Sequence, residues 1–153
     1  MALQDRERSD SREIGSSSMV SEITEPRYPT ERQPAICIIM MPRDTNPLGT
    51  IFGGVILSHI DMSAAIEGHR YHAGRLVTVA MDQVVFKQPV FVGDLVSFFT
   101  ETVRIGKTSV TVKVSVWAKR HSTAQTFIHV TEALVTMVAV DDQFKKVTIQ
   151  KHS

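Results

Sequence analysis

From Val55 to about Tyr71, directly after Gly53-Gly54, the chain runs without a proline, is apolar on most of its projected faces, and stops at His72-Ala73-Gly74. A helix that is apolar nearly all round belongs inside a fold, so this segment needs a partner that wraps it. After Gly74 the period changes. Four β-rich segments follow, roughly 75–88, 94–105, 108–120 and 126–140, with Pro89, Gly93, Gly106 and Ser122 in the short links between them. The third alternates most cleanly, with Val110, Val112, Val114 and Val116 on one face and Thr111, Lys113, Ser115 and Trp117 on the other. A short apolar run at 35–41 precedes the helix and ends at Pro42, where turn formers crowd into Arg43–Gly49. The order strand, helix, four strands predicts an α+β fold in which one antiparallel sheet curls around a long central helix.

Length and charge narrow the function classes. At 153 residues the chain is one domain's worth, which excludes a two-domain enzyme. Lys and Arg number 17 against 16 Asp and Glu, so there is no basic field for a nucleic-acid partner. No run reaches the roughly 18 apolar residues of a membrane span, and no apolar leader opens the chain. The single cysteine, Cys37, cannot form an internal disulfide. Its neighbours Ile36, Ile38 and Ile39 predict a buried, inert thiol, and the compartment expected is the cytoplasm. Residues 1–34 carry many charges, the Gly15–Ser18 run and Pro26, Pro29 and Pro34, and read as a flexible arm ahead of a domain spanning 35–153.

Most chemistry-bearing patterns dissolve on inspection. Gly106-Lys107-Thr108 matches the end of a phosphate-binding loop, but Glu101 stands where the first glycine belongs and a strand follows, so a tight turn is the better reading. The six histidines include an i,i+3 pair, His69 and His72, with no third ligand at familiar spacing, and no metal site is expected. Ser58 and Ser63 lack the setting of a nucleophile elbow. Asp61 is different. Its helical neighbours Leu57, Ala64 and Ala65 put a carboxylate within an apolar stripe, either desolvated for a purpose or at the stripe's edge reaching solvent. Glu67, six residues on, projects elsewhere and reads as solvated. Gly53-Gly54 places unencumbered N–H groups at a helix start, where free donors and the dipole favour an anion, although such a pair also serves tight helix entry.

Taken together, Met41-Pro42-Arg43-Asp44-Thr45-Asn46, Gly49-Thr50-Ile51-Phe52-Gly53-Gly54 and Ser58-His59-Ile60-Asp61-Met62 resemble the acyl-CoA thioesterases of the hotdog fold, in the YciA-like bacterial group. The resemblance continues through Arg75–Val79, Phe86–Asp94, Gly106–Val110 and Val116–Arg120, and spans about 35–142. It implies subunits paired edge to edge, commonly as a trimer of dimers, acting on acyl-CoA with no cofactor beyond the CoA carried by the substrate. It also implies Asp61 as the catalytic carboxylate and the Gly53 and Gly54 amides as carbonyl polarisers. CoA contacts fall to Gly106, Lys107, Thr108 and Ser109 and to Lys119 and Arg120. Relatives often carry Asn or Asp where this chain has Thr50, which can hydrogen-bond but cannot act as a base, and Asn46 becomes a secondary polar contact.

Two competing functions differ in readable ways. Hotdog hydratases place a histidine five positions after the helix aspartate, and here that position is Ile66. A non-catalytic acyl-CoA sensor on the same fold usually carries a DNA-binding appendage, and the arm shows no helix-turn-helix pattern.

Overall fold

A computed structural model describes residues 24–121 and 126–150. The Gly15–Ser18 run, the rest of the expected arm before residue 24, Ser122 and His152 lie outside the described residues. In chain order the elements are β1 (Ile36–Ile39), α1 (Gly53–Gly68), β2 (Arg75–Asp82), β3 (Leu95–Ile105), β4 (Ser109–Arg120) and β5 (Thr126–Val140), with a 3-10 turn at Pro42–Asp44. All strand pairs are antiparallel, in the order β1-β3-β4-β5-β2.

Register slips interrupt the ladder at Thr78/Ala80, Thr102/Arg104 and Val116/Trp117. Each extra residue bends its strand and increases the local twist, which curls the sheet toward the helix. The alternation in β4 delivers Val110, Val112, Val114 and Val116 to the interior, all fully buried. They meet the α1 stripe Ile56, Ile60 and Ala64, spaced at i, i+4 and i+8 and likewise buried. Close packing ends the helix at Gly68, where a Cβ would sit 2.8 Å from both Leu76 Cδ1 and Met137 Cε. The chain forms the expected α+β arrangement, with one helix packed against a curled antiparallel sheet.

Four expectations need correction. The sheet covers one side of α1 only, leaving Ser58, Met62 and Ile66 exposed, the last two at 47% and 49%. The segment expected to run as strand to Gln88 stops at Asp82, because Gln83 adopts φ 62° and the chain leaves the ladder. Cys37 is exposed, since β1 is an edge strand whose alternate residues face outward, and its Sγ lies 3.4 Å from Ser97 Oγ. Glu67 is buried rather than solvated. Thr102 Oγ1 donates to it at 2.9 Å, Thr100 Oγ1 at 3.3 Å, and Arg70 pairs with it at 3.3 Å.

The outer face of the sheet is covered in part by the end of the arm. Tyr28 stacks on Phe127 at 3.8 Å and meets Phe99 and Trp117 edge-on, so both of those rings are buried. The two sheet edges differ: β1 has four residues, whereas β2 has eight, with Val79 57% exposed on it. A long apolar edge left open is a template for pairing with another chain.

Candidate active site

The loop between β1 and α1 is held by its own hydrogen bonds. Asn46 Nδ2 donates to Thr50 Oγ1 at 2.8 Å, while Asn46 Oδ1 accepts from Leu48 N at 2.9 Å and Thr50 N at 3.2 Å. The Asn46 amide is therefore spent on shaping the loop. Gly49, at φ +82°, makes the turn that lets the chain double back. Ile51 N donates to Val90 O and Phe52 N to Asp44 O, both at 2.8 Å, which fixes where the helix begins.

Phe52 is the extended N-cap, so both glycines lie in the first helical turn. Val55 N closes onto Phe52 O at 2.9 Å, whereas the N–H groups of Gly53 and Gly54 have no acceptor among the described residues. Gly53 opens on a cleft of about 330 Å³ whose walls include Thr50, Ile56, Phe86 and Gln88. A Cβ at Gly53 would sit 3.6 Å from the Phe86 ring, an ordinary contact, whereas one at Gly54 would come within 2.5 Å of the Phe52 ring.

Asp61 lies two turns further along α1, partly exposed, on the flank facing β2. Thr78 Oγ1 donates to Asp61 Oδ1 at 2.6 Å. The β-bulge that follows Thr78 is the kind of irregularity that re-aims side chains beside functional groups. Asp61 and Gly53 are eight positions apart on the helix. At 1.5 Å per residue that separation is about 12 Å along the axis, so a carbonyl held on the glycine amides is out of reach of the same chain's carboxylate.

The residues expected to touch CoA divide into two groups. Gly106, Lys107, Thr108 and Ser109 form the β3–β4 hairpin, closed by Gly106 N to Ser109 O at 2.8 Å, which is the turn expected in place of a phosphate-binding loop. Lys119 and Arg120 end the same strand β4. At about 3.3 Å per residue the two groups are roughly 36 Å apart. Lys119 Nζ lies 5.7 Å over the Phe127 ring. Arg120 is committed to structure: Nη2 donates to Pro89 O at 2.8 Å, Nε lies 3.5 Å from the buried carboxylate of Asp94, and the guanidinium covers Phe91. Lys107 is exposed, with no ion-pair partner among the described residues.

Sequence reasoning missed Thr78, which approaches Asp61 only through tertiary folding, and Arg120 as the brace of the cleft wall at Pro89. The pairing of Arg120 with Asp94 had no local signal, since Asp94 sits in the turn just before β3 and Arg120 at the far end of β4.

Comparison with known proteins bears on this geometry. Residues 48–125 match the Thioesterase superfamily. The acyl-CoA thioester hydrolase YciA of Escherichia coli is 40% identical over 110 residues, 70% of this chain and 83% of that protein. An uncharacterized acyl-CoA thioester hydrolase of Haemophilus influenzae is 38% identical over 117 residues, 75% of this chain and 76% of that protein. Among solved structures, a hexameric hotdog fold thioesterase of Campylobacter jejuni superposes with a TM-score of 0.74 and 46% identity, covering 78% of this chain and 91% of that one. The chain therefore belongs to the thioesterase superfamily, among the hotdog-fold acyl-CoA thioesterases of the YciA-like group.

Proposed function

We propose that this protein hydrolyses acyl-CoA thioesters to a carboxylic acid and CoA, at sites each built from two copies of the chain. The observation that carries the reading is the pair of amides at Gly53 and Gly54 that have no acceptor among the described residues, with Gly53 opening on the cleft. The thioester oxygen rests on these donors, whose fixed dipoles stabilise the oxyanion as the carbonyl becomes tetrahedral. Asp61 of the neighbouring copy takes a proton from water as the water oxygen attacks the carbonyl carbon. Collapse of the intermediate breaks the C–S bond, and the proton passes to the departing thiolate. The residues supply everything this route needs, so it runs without a metal or organic cofactor.

The composite site follows from distance and from the open edge. Asp61 is too far from its own glycines, but it stands beside β2, which exposes Val79, on a helix that also exposes Met62 and Ile66. Pairing two β2 edges covers those side chains and brings the carboxylate of one copy toward the helix start of the other. The separation along β4 implies a similar division for CoA, with the 106–109 turn and Lys119 reaching one ligand from different copies. A trimer of such dimers is the assembly proposed, and the lone cysteine fits a reducing cytoplasm.

Thiol release from a panel of acyl-CoAs, wild type beside Asp61→Ala, tests the proposal. The expected result is turnover that falls roughly a hundredfold or more in the variant. Tight acyl-CoA binding with no turnover in either protein refutes it in favour of a sensor. In a single-turnover reaction in oxygen-18 water, label found in the Asp61 carboxylate would exclude the general-base route in favour of direct attack by Asp61.

A further inference from the structure

On the outer face of the sheet, His129 of β5 is nine-tenths buried and tilted against Trp117, with ring centres 4.8 Å apart. Lys87 Nζ lies 3.4 Å from His129 Nδ1. An ammonium can only donate, so this contact is a hydrogen bond only while Nδ1 carries no proton. The other nitrogen, Nε2, has no hydrogen-bond partner among the described residues and lies 3.7 Å from Glu132 Oε1. Lys87 belongs to the connection between β2 and β3, and its backbone N–H donates to Val130 O at 2.8 Å, next to His129. The same stretch is the wall of the catalytic cleft: Lys87, Gln88 and Phe86 line it from one side, and Lys87 and Gln88 line a second recess with Trp117 and His129 on the other.

We propose that His129 is a positioning residue which, through Lys87, fixes the 86–90 wall of the cleft that receives the acyl-CoA. The substrate named here rests on the functional reading above. The positional claim does not. The charged groups around the imidazole are Lys87 from the connection, Lys113 from β4, Glu132 from β5, and Glu25 of the arm across the outer recess. Burial foremost, then the Lys87 ammonium, hold the imidazole below the usual histidine range, with Lys113 adding to the effect and Glu132 opposing it. The ring is therefore neutral at neutral pH and accepts from Lys87. When acid protonates Nδ1, two cations face each other across the contact, Lys87 withdraws, and the wall loosens without any change to Asp61 or the glycine amides.

Three measurements on the full chain decide the matter. The protein has one tryptophan. Its ring contact with His129 makes Trp117 fluorescence a direct reporter of imidazole protonation. Hydrogen exchange over residues 84–92, corrected for intrinsic rate, reports the wall, and KM for acyl-CoA reports its consequence. In the wild type all three change with one shared midpoint below the usual histidine range, and KM rises roughly threefold, the scale of one modest hydrogen bond. His129→Asn keeps an acceptor for Lys87 that does not titrate, so all three profiles flatten. His129→Leu keeps the fold's apolar volume but has no acceptor, and raises both exchange and KM across the pH range. A fluorescence transition with no change in exchange over 84–92, or an acid rise in KM that survives in His129→Asn, overturns the proposal. An exchange transition abolished by His129→Asn in a protein that releases no thiol supports the positional claim while refuting the hydrolase reading.

Discussion

Replacing Thr78 with valine deletes the hydroxyl that donates to Asp61 and leaves a side chain of nearly the same shape on β2. The bond is short, 2.6 Å, and its acceptor is a carboxylate. Hydrogen bonds to charged groups contribute about 1.5–3 kcal/mol, and the exposed position of this one places it at the low end. Loss of about 1.5 kcal/mol of orientation at the reacting carboxylate is roughly a tenfold fall in kcat. KM stays near the wild-type value, because Thr78 touches the carboxylate and lies outside the cleft wall. Thr78→Ser restores the donor and most of the rate. Steady-state thiol release with the three proteins, alongside their urea unfolding midpoints, makes the comparison. A Thr78→Val enzyme with unchanged kcat, or a serine variant as slow as the valine one at equal stability, refutes the claim that Thr78 orients Asp61.

Gly53→Pro removes one of the two free amides while suiting the first helical position, since Phe52 already has the extended conformation a following proline requires. A well-folded variant with kcat reduced about a hundredfold is expected by stopped thiol-release assay, and full activity would show that this amide does not meet the oxyanion. Ile60→Ala empties a fully buried position between α1 and the sheet, with an expected loss of about 2–5 kcal/mol in equilibrium urea unfolding. His129 binds fewer protons folded than unfolded, so its contribution to stability is complete above the unfolded histidine range and declines as pH falls toward its lower folded value. The wild type should thus lose more urea resistance than His129→Asn between about pH 7.5 and about pH 5.5.

The helix and the sheet strands announced themselves through period, and the motifs carrying the resemblance all fell in or beside them. What escaped the sequence depended on which neighbours folding supplied. Glu67 looked solvated because its own helix offers no partner, yet Thr100 and Thr102 arrive from β3 to satisfy it. Cys37 looked buried because apolar neighbours surround it in sequence, but on an edge strand alternate residues face outward. The apolar run Val84-Val85-Phe86 looked like strand, and the positive φ at Gln83 takes it out of the ladder, so that Phe86 becomes cleft wall instead. Asp61 was legible as an anomaly in an apolar stripe. Its partner Thr78, seventeen residues away, was not. The distance between Asp61 and the glycine amides is fixed by helical rise and was implicit in the sequence, although only the open β2 edge gives it a remedy.

Complementation between two inactive chains tests the composite site most directly. Asp61→Ala and Gly53→Pro subunits, unfolded together and refolded as a mixture, assort at random, and each mixed dimer contains one site with an intact aspartate facing intact glycines. The account predicts recovery of about a quarter of wild-type activity from an equimolar mixture, where either variant alone has almost none. A mixture no more active than its components would place the carboxylate and the amide donors in the service of the same chain's site and contradict the account.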